Sequence, residues 1–262
     1  MNKGSFNICL SVLLLLGNSF TQAQQKNIVI NEKLAANSEM LKVKIGTAWM
    51  GKISKFKFGD YAVVKSKLGW TVNTSSANLW NTKTESKTEN KFSFTLSNNT
   101  RDSAIVNALS NVLVKELHAF KLFSSENFEF YIGPDDELLM DAHIFSSFIT
   151  TSSNKDEIWV LRLEQTEGSE ADNKNEGVIG NGERIINIMP VSSNKYGDDS
   201  RMIPAMGYEF IENNESLCAV QYYGGGALGG NKNIVWIRSD LEPRLKLILA
   251  AAMTSLMQLK AP

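Results

Sequence analysis

Side chains that could do chemistry are few, and they crowd into one short stretch. Asp135, Asp136 and Asp141 lead up to His143, with Glu137 among them, and a carboxylate–imidazole set of this kind could ligate a divalent metal or relay a proton. A plainer reading competes with it: Pro134-Asp135-Asp136 is turn chemistry opening a helical segment, whose N-terminus favours acids. The spacing also lacks the glycine and the later ligands of a calcium loop. The other histidine, His118, stands beside Glu116 and Leu117 in a segment with helical periodicity, where a boundary role suits it better than ligation. No serine occupies a Gly-x-Ser-x-Gly elbow, so the common hydrolase chemistries lose their usual signature. A hydrolase or metal-dependent enzyme with its site near Asp135 to His143 is thus the alternative reading, and no cofactor is implied.

Glycine and cysteine add little chemistry. Gly224-Gly225-Gly226-Ala227-Leu228-Gly229-Gly230 invites phosphate binding, but a P-loop needs Gly-Lys-Ser/Thr opening a helix, whereas Asn231-Lys232-Asn233 leads into a strand pattern. A hairpin connection is expected there. Gly177-Val178-Ile179-Gly180-Asn181-Gly182 lacks dinucleotide-fold spacing and reads as a turn. Cys218 sits in the apolar run Leu217 to Tyr223 with no Lys, Arg or His beside it, which predicts a buried, inert thiol. Tyr222, Tyr223 and Trp236 could line a pocket, but aromatics in adjacent strands more often form core or cross-strand pairs.

The N-terminus reads as an address. Lys3 precedes an apolar stretch from Ile8 to Leu16, and Thr21-Gln22-Ala23 offers a cleavage point between Ala23 and Gln24. The expectation is a signal peptide over residues 1–23, an exported chain (periplasmic or extracellular), and one domain over 24–262. Cys9 lies inside the apolar run instead of closing it, so a lipid anchor is not expected. With Cys9 removed, Cys218 has no intramolecular disulfide partner, and no disulfide-linked partner is expected either. Charge is nearly balanced, with 27 basic against 28 acidic residues. That argues against nucleic acid, which demands a clustered basic face. A closed sheet could still gather Lys52, Lys55, Lys57, Lys65 and Lys67 on one wall, which would make peripheral contact with an anionic membrane surface; the plainer role for those lysines is to solvate strand faces and blunt sheet edges.

The elements that must position all this are mostly strands. Period-two alternation marks 43–49, 53–58 and 61–66, with turns at Gly51 and Gly59-Asp60. Further strands are expected at 26–31, 92–96, 128–132, 144–150, 158–163, 184–189, 206–212, 217–223 and 233–238, with long polar loops at 73–91 and 166–175. Asp102 or Ser103 could cap an amphipathic outer helix reaching Phe120. A second helix is expected from Leu241 to Leu259, opened by a Ser239/Glu242 capping box with Pro243 in its first turn. Its middle, Leu247 to Met253, is apolar on every side. Such a helix must be surrounded, and its apolar run is short of the roughly 20 residues that span a bilayer. The expected fold is therefore mostly β (α+β): a closed antiparallel β-barrel around a hydrophobic C-terminal helix, with a second helix outside.

The ending Tyr208-Glu209-Phe210, Leu217-Cys218-Ala219-Val220, Val235-Trp236-Ile237-Arg238, then Asp240-Leu241 and an alanine-rich apolar helix, resembles the last strands and core helix of tubby-like proteins, including the LURP-one-related group. Phe58-Gly59-Asp60-Tyr61, Val63-Val64 and Leu68-Gly69-Trp70 look like the early hairpins of that group. The resemblance implies a barrel of about a dozen strands threaded by the terminal helix, and a non-enzymatic binding or scaffold role, with membrane lipid among the ligands. No residue of this chain matches the basic lipid-binding patch of tubby one for one.

Overall fold

The structure, a computed structural model, describes residues 27–47, 52–69, 91–99, 102–109, 120–125, 128–132, 143–165, 176–194, 196, 203–226 and 230–261. The expected leader, His118 and the acids at 135–141 lie outside these residues. Fifteen strands and two helices are present among them. In chain order they are α1 (Glu32–Asn37), β1 (Ser38–Lys42), β2 (Lys44–Gly46), β3 (Lys55–Phe58), β4 (Tyr61–Leu68), β5 (Lys91–Ser97), β6 (Ser103–Leu109), β7 (Phe120–Ser125) and β8 (Phe128–Ile132). Then follow β9 (His143–Thr151), β10 (Trp159–Gln165), β11 (Gly177–Gly180), β12 (Ile185–Ser192), β13 (Met206–Glu212), β14 (Glu215–Tyr223), β15 (Ile234–Arg238) and α2 (Pro243–Leu259).

Thirteen of the strands form one antiparallel sheet in the order β1-β15-β14-β13-β12-β11-β10-β9-β6-β5-β4-β3-β2, while β7 and β8 pair as a separate hairpin. The two edges of the large sheet, β1 and β2, follow one another in the chain with just Val43 between them. They are the halves of one strand that changes partner: Ser38–Lys42 pairs with β15, and Lys44–Gly46 with β3. That switch makes the sheet a nearly closed barrel.

Inside it runs α2. From Leu247 to Met257 every side chain is buried, on all faces of the helix. The interior is lined by alternate strand residues, among them Phe94, Leu96, Val106, Phe145, Leu161 and Ile188, which form one continuous core with the helix. Ala250, Ala251 and Ala252 are fully buried and add little width, so strands can close around them. The two hydroxyls of this stretch are satisfied locally: Thr254 Oγ1 donates to Ala250 O at 2.8 Å and Ser255 Oγ to Ala251 O at 3.1 Å. Ser255 Oγ also lies 3.1 Å from Ser147 Oγ of β9.

Four expectations need correction. Of the outer helix expected from Asp102 to Phe120, the part at Ser103–Leu109 is instead a strand, paired with β5 and β9, and 110–119 lie outside the described residues. Ala104, Val106 and Ala108 are buried while Ile105 is exposed, so the period there is two, and cross-strand pairing on both sides prevails over a modest helical spacing. The helix that does lie outside is α1, capped by Asn31 Oδ1 accepting from the Lys33 N–H at 2.9 Å. Gly177–Gly180 is a strand, not a turn: a Cβ on Gly177 would fall 2.5 Å from Arg162 O, so glycine there permits the close approach of β10. The capping box does not form. Glu242 is the N-cap and makes no side-chain cap bond, while Ser239 Oγ donates to Asn37 O at 2.9 Å. Pro243 opens the helix as expected. The segment expected as a strand before Asn31 is unpaired as a ladder, although Val29 N–H donates to Ser192 O at 3.1 Å.

Because the helix is enclosed without room to spare, Ala251→Leu forces overpacking and lowers stability by about 1–3 kcal/mol. Urea denaturation monitored by far-UV circular dichroism checks this, and an unchanged midpoint would show that the enclosure is loose.

Candidate functional site

The alternation of β3 decides where its lysines go. Phe56 and Phe58 point into the core, so Lys55 and Lys57 face solvent. On β4 the outward positions carry Lys65 and Lys67, opposite Thr95 and Ser93 of β5. On β2, Lys44 lies directly opposite Lys57, and Gly46 opposite Lys55. Lys52 is exposed just before β3. The wall of β2, β3 and β4 is therefore lined outward by Lys44, Lys55, Lys57, Lys65 and Lys67. None of these five makes an ion pair with another described residue.

Like charges placed directly across a ladder disfavour folding by a few tenths of a kcal/mol or more, so the Lys44–Lys57 pair is a standing cost. Among them stand exposed apolar side chains: Ile45 is 52% exposed and Val64, turned out by a bulge between Val63 and Lys65, is 58% exposed. Leu68 ends the strand, also exposed. At the neighbouring strand end, Lys232 is drawn below its usual pKa by partial burial and by Lys42. Its ammonium donates to Asn27 Oδ1 at 3.1 Å.

Arginines elsewhere behave differently. Arg184 forks onto Glu212 at 2.8 and 2.5 Å, Arg238 bridges Asp240 and Glu215, and Arg244 holds Glu157 at 2.9 Å. Glu157 Oε1 also accepts from Trp159 Nε1 at 2.9 Å and from Asn181 Nδ2 at 2.7 Å. These groups tie strand-connecting turns to the start of α2. Their charges are paired within the fold, whereas the lysines of the wall form no ion pair among the described residues.

Of the acids and histidine singled out in the sequence, only His143 is among the described residues. His143 opens β9, with Gln165 as its ladder partner, while Asp135, Asp136 and Asp141 lie outside the described residues. Among the described residues no group of His, Cys, Asp and Glu could hold a metal ion. Cys218 is buried in the barrel, and its thiol is pushed well above its ordinary pKa by burial and by nearby Glu209. Gly224 and Gly225 take positive φ in the connection from β14 to β15, where Lys232 N–H donates to Gly224 O at 3.0 Å. It is a hairpin connection, as the pattern predicts. Tyr222 stacks on Tyr208 with ring centroids 5.4 Å apart, and Trp236 is buried on the outer wall. Among the described residues no helix is long and apolar enough to cross a membrane. Sequence reasoning missed Lys44, whose position opposite Lys57 depends on register and not on spacing.

Comparison of the chain with protein-family models, with curated proteins and with solved structures returned no match in any of the three.

Two outcomes follow from these placements. In a chain carrying Cys9→Ser, Cys218 reacts with an aromatic disulfide reagent at pH 8 only after denaturation; labelling of that native protein within minutes would contradict its burial. Tyr61, at the head of β4, has its phenol pushed up to about 12 by burial first and Asp60 second. Since an unfolded tyrosine ionises near about 10, its contribution to stability is whole below that pH and is lost as pH rises through about 12. The difference between alkaline absorbance titrations of the parent and a Tyr61→Phe chain reads this, and a difference centred at the ordinary value would place Tyr61 in water.

Proposed function

We propose that this chain is an exported, non-enzymatic binding protein with a tubby-like barrel, associated with the cell envelope through an anionic lipid surface. One observation carries the reading: five outward lysines without acidic partners among the described residues share a wall with Ile45, Val64 and Leu68. Lysines near an anionic bilayer each contribute about 1 kcal/mol, and exposed aliphatic side chains beside them can enter the headgroup layer. Edge protection alone would call for the lysines but not for the exposed aliphatic side chains. The filled interior supports a binding role at the outer surface, because α2 and the inward side chains occupy the space in which an enzyme of this shape would place a cleft. The order of strands and the enclosed terminal helix support kinship with tubby-like proteins, and the leader-like residues 1–23 support export.

Sedimentation with liposomes tests the reading. The protein is retained on vesicles containing phosphatidylglycerol at low salt, stays in the supernatant with neutral vesicles, and is released in high salt, because the attraction is screened within about 10 Å or less. Replacing Lys55, Lys57, Lys65 and Lys67 together by Gln lowers partitioning by roughly tenfold or more. Equal retention of variant and parent on anionic vesicles would remove the wall from the account; no retention of either would remove the lipid.

A further inference from the structure

The outer faces of β14 and β15 carry Ala219, Ile234 and Trp236 where β3 and β4 carry lysines. All three are buried, although they point away from α2. What covers them is the segment 27–37. Ile28 and Leu34 pack with them and with Ala205 in a cluster separate from the main core.

The wall beneath is shaped for a main chain. Gln221, fully buried, offers Oε1 to the Ile28 N–H at 3.0 Å. Glu209, 4% exposed, offers Oε1 to the Asn31 N–H at 2.8 Å. Both side chains are held by the barrel itself. Gln221 Nε2 donates to Lys232 O at 2.7 Å, and Ser216 Oγ donates to Glu209 Oε1 at 2.6 Å. Between them Gly207 forms the floor: a Cβ there would come within 2.8 Å of Ile28 Cδ1 and 2.2 Å of Val220 O. Preset acceptors that read backbone N–H groups, with a socket for one aliphatic side chain, select an extended peptide.

We infer that this groove is a peptide-binding site and that residues 27–37 are its tethered ligand, docking and undocking while the barrel stays closed. Undocking leaves the barrel intact because β1, and not the segment, pairs with β15, and because the covering cluster is distinct from the core around α2. The segment buries two apolar side chains, Ile28 and Leu34, and is otherwise tied to the barrel by hydrogen bonds that water can replace: those of Ile28 and Asn31, Val29 N–H to Ser192 O, Lys232 Nζ to Asn27 Oδ1, and Ser239 to Asn37 O. The ligand class is a chain that is non-helical where it places an aliphatic residue over Gly207 and offers N–H donors to Gln221 and Glu209, and that turns into a short helix beyond them, as 27–31 and α1 do.

Native-state hydrogen exchange on the unaltered chain decides whether the segment opens alone. The Ile28 and Asn31 amides exchange at least about tenfold faster than those of Cys218 and Val220, with little denaturant dependence. Exchange of both sets at one rate with one denaturant slope would overturn the inference. A fluorescent peptide spanning residues 27–37 supplies the second arm. It binds saturably to the full chain carrying Leu34→Asp, and at least about tenfold more weakly to the parent, whose own segment competes. Absence of saturable binding to a Leu34→Asp chain with native circular dichroism would also overturn it. Should Leu34→Asp fail to fold, the exchange measurement stands by itself.

Discussion

Desolvation of the terminal helix is the constraint from which the rest of the architecture follows. A helix that is apolar on every side has no stable place at a protein surface, and α2 satisfies this by burying Leu247 to Met257 on all faces. The surrounding sheet then needs an inward face that is apolar at every second residue, as in β3, β5 and β6. It also needs near-closure, since an open sheet would leave part of the helix wet. The interior is thereby consumed by structure. The unusual residues stand on the outer wall.

The elements legible in the sequence are those whose pattern is settled by that burial. The run Met206–Glu212 emerged with its observed bounds, and Glu215–Tyr223 and Ile234–Arg238 nearly so. Ser103–Leu109 was not legible as a strand: Ile105 and Leu109 also satisfy helical spacing, and only pairing with β5 and β9 decides between the two. Ser239 looked like a helix cap for a similar reason. Its hydroxyl serves Asn37, a residue 202 positions earlier, and no local pattern announces such a partner.

The candidate surfaces divide along the same line. Period two placed Lys55 and Lys57 outward, and that much could be read directly, whereas Lys65 and Lys67, an even number of residues from buried Val63, face out only because of the bulge between Val63 and Lys65. The confrontation of Lys44 with Lys57 could not, because the register across β2 and β3 fixes it. Glu209 and Gln221 are the clearest case. Each is a polar residue inside an apolar strand, and its reason lies far away, with the Asn31 N–H 178 positions and the Ile28 N–H 193 positions earlier in the chain. The acids before His143, conspicuous by composition, lie outside the described residues, and of that group only His143 is placed, opposite Gln165 at the start of β9.

The meeting of β1 with β15 has a temporal meaning as well as a spatial one. Ser38 finds its ladder partner at Arg238, and the helix that fills the interior comes later still. A chain emerging residue by residue can therefore form hairpins early, yet it can seal its wall and dry its centre only once nearly all of it is available. Non-local closure of this kind slows folding. Loss of everything from Ile234 onward would strip away both the last seam and the filling, leaving a curved ribbon with its greasy side open to water.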